Sequence, residues 1–440
     1  MTIKNKLFLG KNEHGDFTLH LNTLQRHLAC FGSSGSGKTV LSKAIIEELA
    51  RNGVPSIIID PQGDLASLGI TEDKDLVTDK GISGKIYDDY NEKVEVVIWT
   101  PASSKGIPLS INPLQIDDAK DMSSDERMHF FSSISKSICG LIGYDLNKDD
   151  GKSADTILSM IFEHVFVSRS TLNDFSELAN ILSDLPDALK NSISSFASLD
   201  LTKTLSRKIK ILTLGSRRLL FQSGVPASIN ALLGKDGSTD KIRISIIYLN
   251  SLQSKEEKEF FIAGISDLLY RWMLKNPIQN AKNKLQCAFF IDEIAPFIPP
   301  VKVPSCKKSL ELLFRQGRKY GICCLVATQS PGDIDYKAIG QFSSFILGTL
   351  NTKQDIEKVK KRLQSVAPNE IDLILRELPA LRPRSFLVIS PDEYSNLQKF
   401  KSRWLLTKHI VVTESNISKI NKDNIANYYS STNTNLQKKT

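Results

Sequence analysis

The sequence predicts an α/β protein with a mainly parallel sheet, a mostly helical insertion and a short N-terminal β extension. Three observations support this prediction. Strand-sized apolar runs alternate with amphipathic helical segments in the first and last parts of the chain. A polar, serine-rich helical stretch interrupts that alternation over residues 117–240. The composition, 41% hydrophobic and 24% charged residues over 440 positions, is that of a chain able to bury a core.

Composition and patterning also exclude some classes of protein. The longest apolar runs are strand-sized, far short of the ~18 residues that a membrane-spanning helix needs, and the first residues lack the apolar region of a secretion signal. We therefore expect a cytoplasmic protein with no membrane partner. The six cysteines include no CxxC pair, so we expect buried thiols. The net charge of +8 permits a polyanionic partner without requiring one.

The first 116 residues begin like a parallel α/β sheet. An N-terminal β segment, 1–26, precedes a strand that runs directly into a glycine-rich loop and an amphipathic helix, which Asn52 and Gly53 end. A further buried strand ends at Asp60, before a proline. Strands are predicted at 6–9, 17–21, 27–31, 56–59 and 94–100.

The α/β pattern resumes after the helical insertion. Within the insertion, helices are predicted at 123–142, 154–167, 173–185 and 202–212. From 241 to 400 the predicted strands are 242–249, 286–291, 322–328, 345–348 and 385–389. Two helices are predicted between these strands, one opened by a capping box at Ser254 and Glu257 and one over 307–319. Residues 401–440 form a C-terminal extension with a disordered tail from about 413.

The loop after the 27–31 strand fits a phosphate-binding pattern. Residues 32–39, GSSGSGKT, match G-x-x-x-x-G-K-[ST] between a predicted strand and a predicted helix. Glycines let successive backbone N–H groups converge on phosphates, and the helix N-terminus adds a favourable potential. We expect Lys38 to neutralise the β- and γ-phosphates and Thr39 to offer its hydroxyl to Mg²⁺. The expected nucleotide-binding residues are Gly32, Ser33, Ser34, Gly35, Ser36, Gly37, Lys38, Thr39 and Val40.

An acidic pair, Asp292 and Glu293, follows the apolar run at 287–291. P-loop hydrolases use one carboxylate to hold the Mg²⁺ shell and a second to orient and deprotonate the attacking water. An apolar strand that ends in two acids is also compatible with a simple capped turn. Because the phosphate-binding loop is present, the catalytic interpretation is favoured, with Asp292 as the metal-shell residue and Glu293 as the base.

Five segments resemble the HerA/FtsK superfamily, specifically HerA-type ATPases. They are RHLACFGSSGSGKT, IIIDPQGDLASLG, IPLSINPLQ, CAFFIDEIAPFIPP and LLFRQGRKYGICCLVATQSPGDI, and they keep the family's order over about residues 6–400. The resemblance implies a RecA-like P-loop NTPase core in two parts, 27–116 and 241–400, which uses ATP and Mg²⁺. It also implies a homo-hexameric ring, ATP-driven movement of DNA through the central channel and, often, a nuclease partner.

The resemblance also implies residue roles. Lys38 and Thr39 match the family's Walker A pair, and Asp292 and Glu293 match its Walker B pair. Gln329 ends a predicted strand and matches the polar sensor of the γ-phosphate, so it joins the candidate catalytic residues.

Three further residues have a family role and, for two of them, a structural alternative. Arg318 matches an arginine finger that reaches into a neighbouring subunit's site. Helical spacing places Arg315 on the same flank, where it could instead pair with Glu311. Asp60 matches an acid important in the family, and the structural alternative is a turn aspartate.

Two lysine-rich stretches are candidates for sequence-independent DNA contacts, and one residue departs from the family. Lys302, Lys307 and Lys308 follow the acidic strand, where relatives can line the channel. The second stretch contains Lys358, Lys360, Lys361 and Arg362. A run of charges is more often a solvated helix face, which is the alternative for both stretches. Arg384 stands where the family usually has glycine, so the resemblance does not fix the placement of the last strand.

Three functions remain compatible with these features. The favoured one is a hexameric, DNA-stimulated ATPase that translocates on duplex DNA and serves a nuclease or other effector in repair or antiviral defence. A conjugation or secretion coupling ATPase is the second, although most DNA-coupling members carry membrane anchors. The third is an ATP-gated ring scaffold that regulates a partner enzyme without processive movement. The sequence does not separate the first from the third, because both need the same ATP site and finger.

Overall fold

The computed structural model describes residues 5–222, 224–278, 285–365 and 367–422. Over these residues, 13 strands form one mixed sheet in the order β2-β1-β13-β12-β11-β3-β10-β9-β4-β8-β5-β6-β7. The strands are β1 (Lys6–Asn12), β2 (Gly15–His20), β3 (Leu28–Phe31), β4 (Ser56–Asp60), β5 (Val94–Pro101), β6 (Ile107–Ser110), β7 (Val225–Pro226), β8 (Ile242–Tyr248), β9 (Cys287–Ile291), β10 (Ile322–Thr328), β11 (Ser344–Leu347), β12 (Ser385–Ile389) and β13 (Gln398–Ser402).

The sheet has a parallel part and an antiparallel edge. All pairings along β11-β3-β10-β9-β4-β8-β5-β6-β7 are parallel, whereas the pairings of β11 with β12, β12 with β13, β13 with β1 and β1 with β2 are antiparallel. The predicted α/β fold with a mainly parallel sheet is confirmed. Three short strands, β6, β7 and β13, were not predicted from the sequence.

Helices cover both faces of the sheet. They are α1 (Lys38–Arg51), α2 (Lys74–Asp79), α3 (Gly84–Lys93), α4 (Ser124–Leu141), α5 (Asp149–Val167), α6 (Phe175–Ser183), α7 (Asp187–Ser194), α8 (Leu199–Ile211), α9 (Leu219–Gln222), α10 (Ile229–Leu232), α11 (Lys255–Lys275), α12 (Lys307–Gln316), α13 (Tyr336–Ile339), α14 (Lys353–Leu363), α15 (Ile371–Glu377) and α16 (Glu414–Ile420). Within the described ranges, none of the helices combines the length and the apolarity needed to cross a membrane.

The central strands are apolar on both sides because each face packs against helices. In β9, Phe289 and Ile291 join the core under α4, α11 and α12, while Ala288 and Phe290 join the core under α1. All six cysteines are free and buried, which confirms the prediction of core thiols. Because β10 pairs in parallel with both β3 and β9, the carboxyl ends of these three strands meet at one edge of the sheet.

The middle of the chain is helical, as its pattern predicts. Helices α4, α5, α6 and α8 occupy the four predicted segments, and α7 lies between the last two. A capping box of Ser123 and Glu126 begins α4, and the predicted box of Ser254 and Glu257 begins α11. The helix predicted over 307–319 is shorter than expected, because α12 ends at Gln316 and the chain continues as a 3-10 turn, Gly317–Tyr320.

The C-terminal segment corrects the prediction of a disordered tail from residue 413. The Thr413 side chain caps α16, Ile417 is buried, and the amide of Asn421 exchanges two hydrogen bonds with the backbone of Ile98 (2.9 and 2.7 Å). The polar composition suggested disorder, but these polar side chains satisfy backbone groups on β5 and on their own helix. Residues 423–440 of the predicted tail lie outside the described residues.

The segment after β13 encloses helix α1. The Arg403 guanidinium contacts the carboxylates of Glu47 (2.9 Å) and Glu48 (3.2 Å), and all three side chains are buried. Glu47 also accepts hydrogen bonds from the backbone N–H groups of Leu406 and Thr407. Burial raises the pKa of Glu47, and the Arg403 charge opposes this rise. Helix α1 is thus buried on two sides: its apolar residues face the sheet, and Glu47 and Glu48 face the segment after β13.

We expect the substitution Arg403→Met to lower the free energy of unfolding by about 3–5 kcal/mol, because it leaves the buried carboxylate of Glu47 without its cation and leaves Glu48 with Arg51 alone. Urea denaturation followed by circular dichroism measures the change. The matched control is Lys401→Met, at an exposed position of β13, which should change the free energy of unfolding by less than about 0.5 kcal/mol. Equal losses in the two variants would contradict the assignment of stability to the buried ion pairs.

Candidate nucleotide-binding site

The loop of residues 32–37 joins β3 to α1 at the sheet edge where the carboxyl ends meet. Gly35 (φ 78°) and Gly37 (φ 90°) adopt left-handed backbone, which glycine reaches without a steric penalty. Gly37 is the N-cap of α1 and has no side chain with which to cap it. The first amides of α1 are therefore oriented as in the anion sites found at helix N-termini.

Close packing fixes the middle of this loop. Ser36 is buried between Gly32 and Gly348, and a Cβ at Gly32 would lie 2.6 Å from the Ser36 hydroxyl oxygen. The Ser33 N–H donates to the Thr349 carbonyl (2.8 Å), which ties the loop to the end of β11. Among the described residues, Ser36 Oγ has no hydrogen-bond partner. The loop is thus held in shape by its flanks while polar groups inside it stay unpaired.

Lys38 lies between the two acids that follow β9. Its side chain is 6% exposed, and its Nζ is 3.6 Å from Asp292 Oδ1 and 3.6 Å from Glu293 Oε2. At this distance the ammonium forms ion pairs but no hydrogen bond, and within the described structure Asp292 Oδ1 has no hydrogen-bond partner. Burial raises the pKa of Asp292, and Lys38 opposes that rise. The structure therefore brings together the predicted Lys38, Asp292 and Glu293.

Glu293 takes a strained backbone conformation that turns it toward β10. Its φ is 57°, in the left-handed region, which costs a residue with a Cβ about 1–2 kcal/mol. Consecutive residues of an extended strand point to opposite faces, so this turn lets two adjacent acids share one site. The Glu293 carboxylate accepts hydrogen bonds from the Thr328 hydroxyl and from the Gln329 N–H (3.0 Å). These two donors fix its orientation.

Gln329 and Thr328 lie at the end of β10, beside the acidic pair. The described contact of Gln329 with Glu293 is made by its backbone N–H, and its side chain is partly exposed at the same edge. Thr328 was missed by the sequence reasoning. The available signal was a hydroxyl at the end of the apolar run 322–327, adjacent to the predicted sensor.

Asp60 is wholly buried and caps its own turn. Its carboxylate accepts the N–H groups of Gly63 (2.7 Å) and Leu65 (2.9 Å), which is the turn-aspartate alternative. Burial raises its pKa to about 7, and the nearby charge of Asp292 adds to the rise. Asp60 is therefore coupled electrostatically to Asp292, although its oxygens are engaged by the turn.

Lys43 is a second buried cation that the sequence reasoning missed. It lies four residues after Thr39 on α1 and donates to the Ser67 hydroxyl. Burial lowers its pKa to about 8, although Asp60 and other nearby acids oppose this change. A lysine on the buried side of an amphipathic helix was the available signal. Lys43 adds positive charge behind the acids of the site.

Arg315 and Arg318 lie away from the loop 32–37 of their own chain. Both side chains are exposed, and the turn that contains Arg318 precedes the amino end of β10. The loop lies at the carboxyl end, roughly 20 Å away over the seven residues of β10. Arg315 Nε donates to the backbone carbonyl of Glu311 (3.4 Å). The alternative raised for Arg315 was an ion pair with the Glu311 carboxylate, and this contact is to the backbone instead.

One of the three candidate DNA contacts after β9 is not available. Lys307 is buried, and its Nζ donates to the Pro299 carbonyl (2.7 Å) and to Asp335 (2.7 Å), so its prediction as a DNA contact is wrong. The charge pattern alone could not reveal Asp335, which follows 28 residues later. Lys302 and Lys308 are exposed. In the second basic stretch, Lys358 donates to the Gly332 carbonyl, and the side chain of Arg362 lies outside the described residues.

The fold is shared with solved structures of low sequence identity. VirB4 of Thermoanaerobacter pseudethanolicus is 15% identical, with 90% of this chain and 96% of that chain covered and a TM-score of 0.58. The bacterial conjugative coupling protein TrwBΔN70 is 14% identical, with 93% and 92% covered and a TM-score of 0.58. The plasmid coupling protein TrwB in complex with ADP and Mg²⁺ is 15% identical, with 90% and 89% covered and a TM-score of 0.55.

A family model provides the sequence-level match. No curated protein matches the chain. The family described as the central domain of helicase HerA matches residues 8–253, more than half of the chain, including the loop 32–37, Lys38 and Thr39. The chain therefore belongs to the HerA central-domain family, within the HerA/FtsK superfamily of P-loop ATPases.

Proposed function

We propose that the protein is an ATP-hydrolysing, homo-hexameric DNA translocase of HerA type. It would move double-stranded DNA through its ring without sequence preference and serve a nuclease or another effector in repair or antiviral defence. The observation that carries the proposal is Lys38, buried 3.6 Å from both Asp292 and Glu293 at the end of the loop 32–37. This arrangement combines a phosphate-binding cation with the two acids that hydrolysis requires.

The residues of the site fit ATP and Mg²⁺. TrwB structures contain ADP with Mg²⁺ and a non-hydrolysable ATP analogue, which supports the same pair of cofactors here. Residues 32–40 would bind the phosphates. The Thr39 hydroxyl and Asp292, whose Oδ1 has no hydrogen-bond partner in the described structure, would hold the metal shell. Bound Mg²⁺ would neutralise charge that develops on the phosphate oxygens.

The roles of the protein groups follow from their positions. Lys38 would shift its ammonium from the acids toward the phosphates, which would leave Glu293 free to act as base. Thr328 and the Gln329 N–H hold the Glu293 carboxylate in one orientation, so a proton from the attacking water would pass to one of its oxygens. The Gln329 side chain, at the same edge, would contact the γ-phosphate.

Arg318 supports a ring in which hydrolysis depends on assembly. It is exposed at the opposite edge of the sheet from its own loop 32–37, so it can serve only a site on another copy of the chain. An arginine supplied in trans can raise the rate of phosphoryl transfer by several powers of ten. Arg315, exposed on the same side, is a weaker candidate for the same role.

We expect mixtures of two inactive variants to regain ATPase activity. Arg318→Ala keeps the phosphate loop and Lys38→Ala keeps the finger, and the ATPase activity of Arg318→Ala alone should fall about 1,000-fold or more, the lower range for loss of an arginine finger. Lys38→Ala alone should also be inactive, because it lacks the cation that binds the phosphates. In mixed rings, some interfaces combine an intact loop with an intact finger. Steady-state ATPase assays after mixing measure the recovery.

Lys319→Ala removes the same charge from the neighbouring exposed position and should retain activity in the same assay. Sizing before each assay shows whether the variants assemble. If Arg318→Ala forms rings with full activity, or if the mixture of assembled variants regains none, the trans role is contradicted.

The exposed Lys302 and Lys308 support DNA binding near the acidic strand. We expect the double variant Lys302→Ala/Lys308→Ala to bind duplexes of any sequence more weakly. The slope of log K against log salt should decrease in magnitude by about 2, because two phosphate contacts are lost. Fluorescence anisotropy across a salt series measures both. The matched control, Lys190→Ala/Lys210→Ala on the helical insertion, should leave the slope unchanged.

A coupling ATPase of conjugation or secretion is the second candidate, favoured by the shared fold with VirB4 and TrwB over nine-tenths of the chain. ATPase assays with duplex and single-stranded DNA separate the candidates. Stimulation severalfold by duplex DNA at low salt supports the translocase, whereas stimulation by single strands alone supports the coupling protein. Rings whose ATPase ignores both DNAs would overturn the motor and leave the ATP-gated scaffold.

A further inference from the structure

The sheet order sets the direction in which a nucleotide would lie across the loop 32–37. The acids follow β9, two strands away from β3 on one side. On the other side of β3 lie β11 and β12, and β12 is antiparallel to β11. The first residue of β12 therefore lies at the same edge as the loop. A triphosphate whose γ end faces the acids would direct its ribose and base toward this side.

Arg384, immediately before β12, packs directly on the loop. Its N–H donates to the Ser36 carbonyl (2.8 Å), and a Cβ added at Gly37 would lie 2.9 Å from Arg384 Cγ. Arg384 has a φ of 67°, in the left-handed region that favours glycine. A residue with a long side chain thus occupies a strained position in contact with the phosphate-binding loop, a pattern that marks functional sites.

The Arg384 guanidinium is held over an aromatic ring by two backbone carbonyls. It donates to the backbone carbonyls of Ser402 (3.0 Å) and Arg403 (2.7 Å), and its Cζ lies 5.0 Å from the centre of the Trp404 ring. Lys80 Nζ lies 5.2 Å from the same ring centre. Both Arg384 and Trp404 remain partly exposed. A fixed, planar guanidinium backed by an indole is a surface on which nucleotide bases stack.

We propose that Arg384, supported by Trp404, forms the platform for the base of the bound nucleotide. This inference rests on the ATP site proposed above and adds the part of the substrate that the phosphate loop does not contact. The platform reads the π face of the base rather than its hydrogen-bonding edge. ATP and GTP analogues should therefore bind alike, and inorganic tripolyphosphate, which lacks a base, should bind more weakly.

The test compares a non-hydrolysable ATP analogue with tripolyphosphate, both with Mg²⁺, by titration calorimetry of the full chain. Arg384→Gly removes the side chain at a position whose backbone suits glycine, so the fold should persist. We expect it to weaken the analogue about tenfold, the size of one base-stacking contact, and to leave tripolyphosphate within about twofold. Arg384→Lys, which keeps the charge but not the plane, should show the same loss, as should Trp404→Leu.

Controls distinguish stacking from charge and from loss of the site. Arg382→Ala removes an equal charge from an exposed position two residues earlier and should change neither affinity. The platform is overturned if Arg384→Gly leaves the analogue's affinity unchanged, if it weakens both ligands equally, or if the unaltered protein binds both alike. Lys38→Ala should weaken both ligands. If it does so while Arg384→Gly has no effect, the ATP site stands and only the base platform falls.

Discussion

The ion pairs that Lys38 makes with Asp292 and Glu293 are the interaction on which the rest of the structure depends. A buried ammonium is stable only beside opposite charge, and these two carboxylates are the groups that stand 3.6 Å from it. The pairing requires β3 and β9 to end at one edge of the sheet, with β10 between them. It also requires Glu293 to leave extended backbone, which the hydrogen bonds from Thr328 and Gln329 stabilise. Because the Lys38 ammonium makes ion pairs but no hydrogen bond with the two carboxylates, it could move to a bound phosphate without breaking a hydrogen bond.

The helix that carries Lys38 is held from outside by the C-terminal segment. Arg403 pairs with Glu47 and Glu48 on α1, and Asn421 joins the far end of that segment to β5. Two charged networks thus lie at opposite ends of α1, one at Lys38 and the other at Glu47 and Glu48. The same segment carries Trp404, which contacts Arg384. Trp404 of the proposed base platform is therefore adjacent in sequence to Arg403, which pairs with α1.

Much of the fold was predictable because its signals are local. A glycine-rich loop between a strand and a helix, and apolar runs that end in acids, identify the parallel core and bring Lys38, Asp292 and Glu293 together. What could not be predicted depends on partners distant in sequence. From the sequence Lys307 is indistinguishable from a surface lysine, because Asp335, its ion-pair partner, lies far along the chain. The two alternatives for Asp60 could not be separated until the structure showed that its own turn engages both carboxylate oxygens. Residues 413–422 have the polar composition of a disordered tail. Their order depends on hydrogen bonds between Asn421 and the backbone of Ile98, which lies more than 300 residues earlier.

In the proposed function, Glu293 supplies the base for hydrolysis while Lys38 and the loop 32–37 bind the nucleotide. The most direct measurement compares ATP binding and single-turnover hydrolysis in the unaltered protein and in Glu293→Gln. The substitution keeps the shape of the side chain and its contact with the Gln329 N–H but removes the proton acceptor. For Glu293→Gln we expect Mg²⁺-dependent ATP binding close to that of the unaltered protein and hydrolysis slowed by a factor of about 100 or more, as for loss of a general base. Hydrolysis at the original rate, with binding intact, would contradict this role of Glu293.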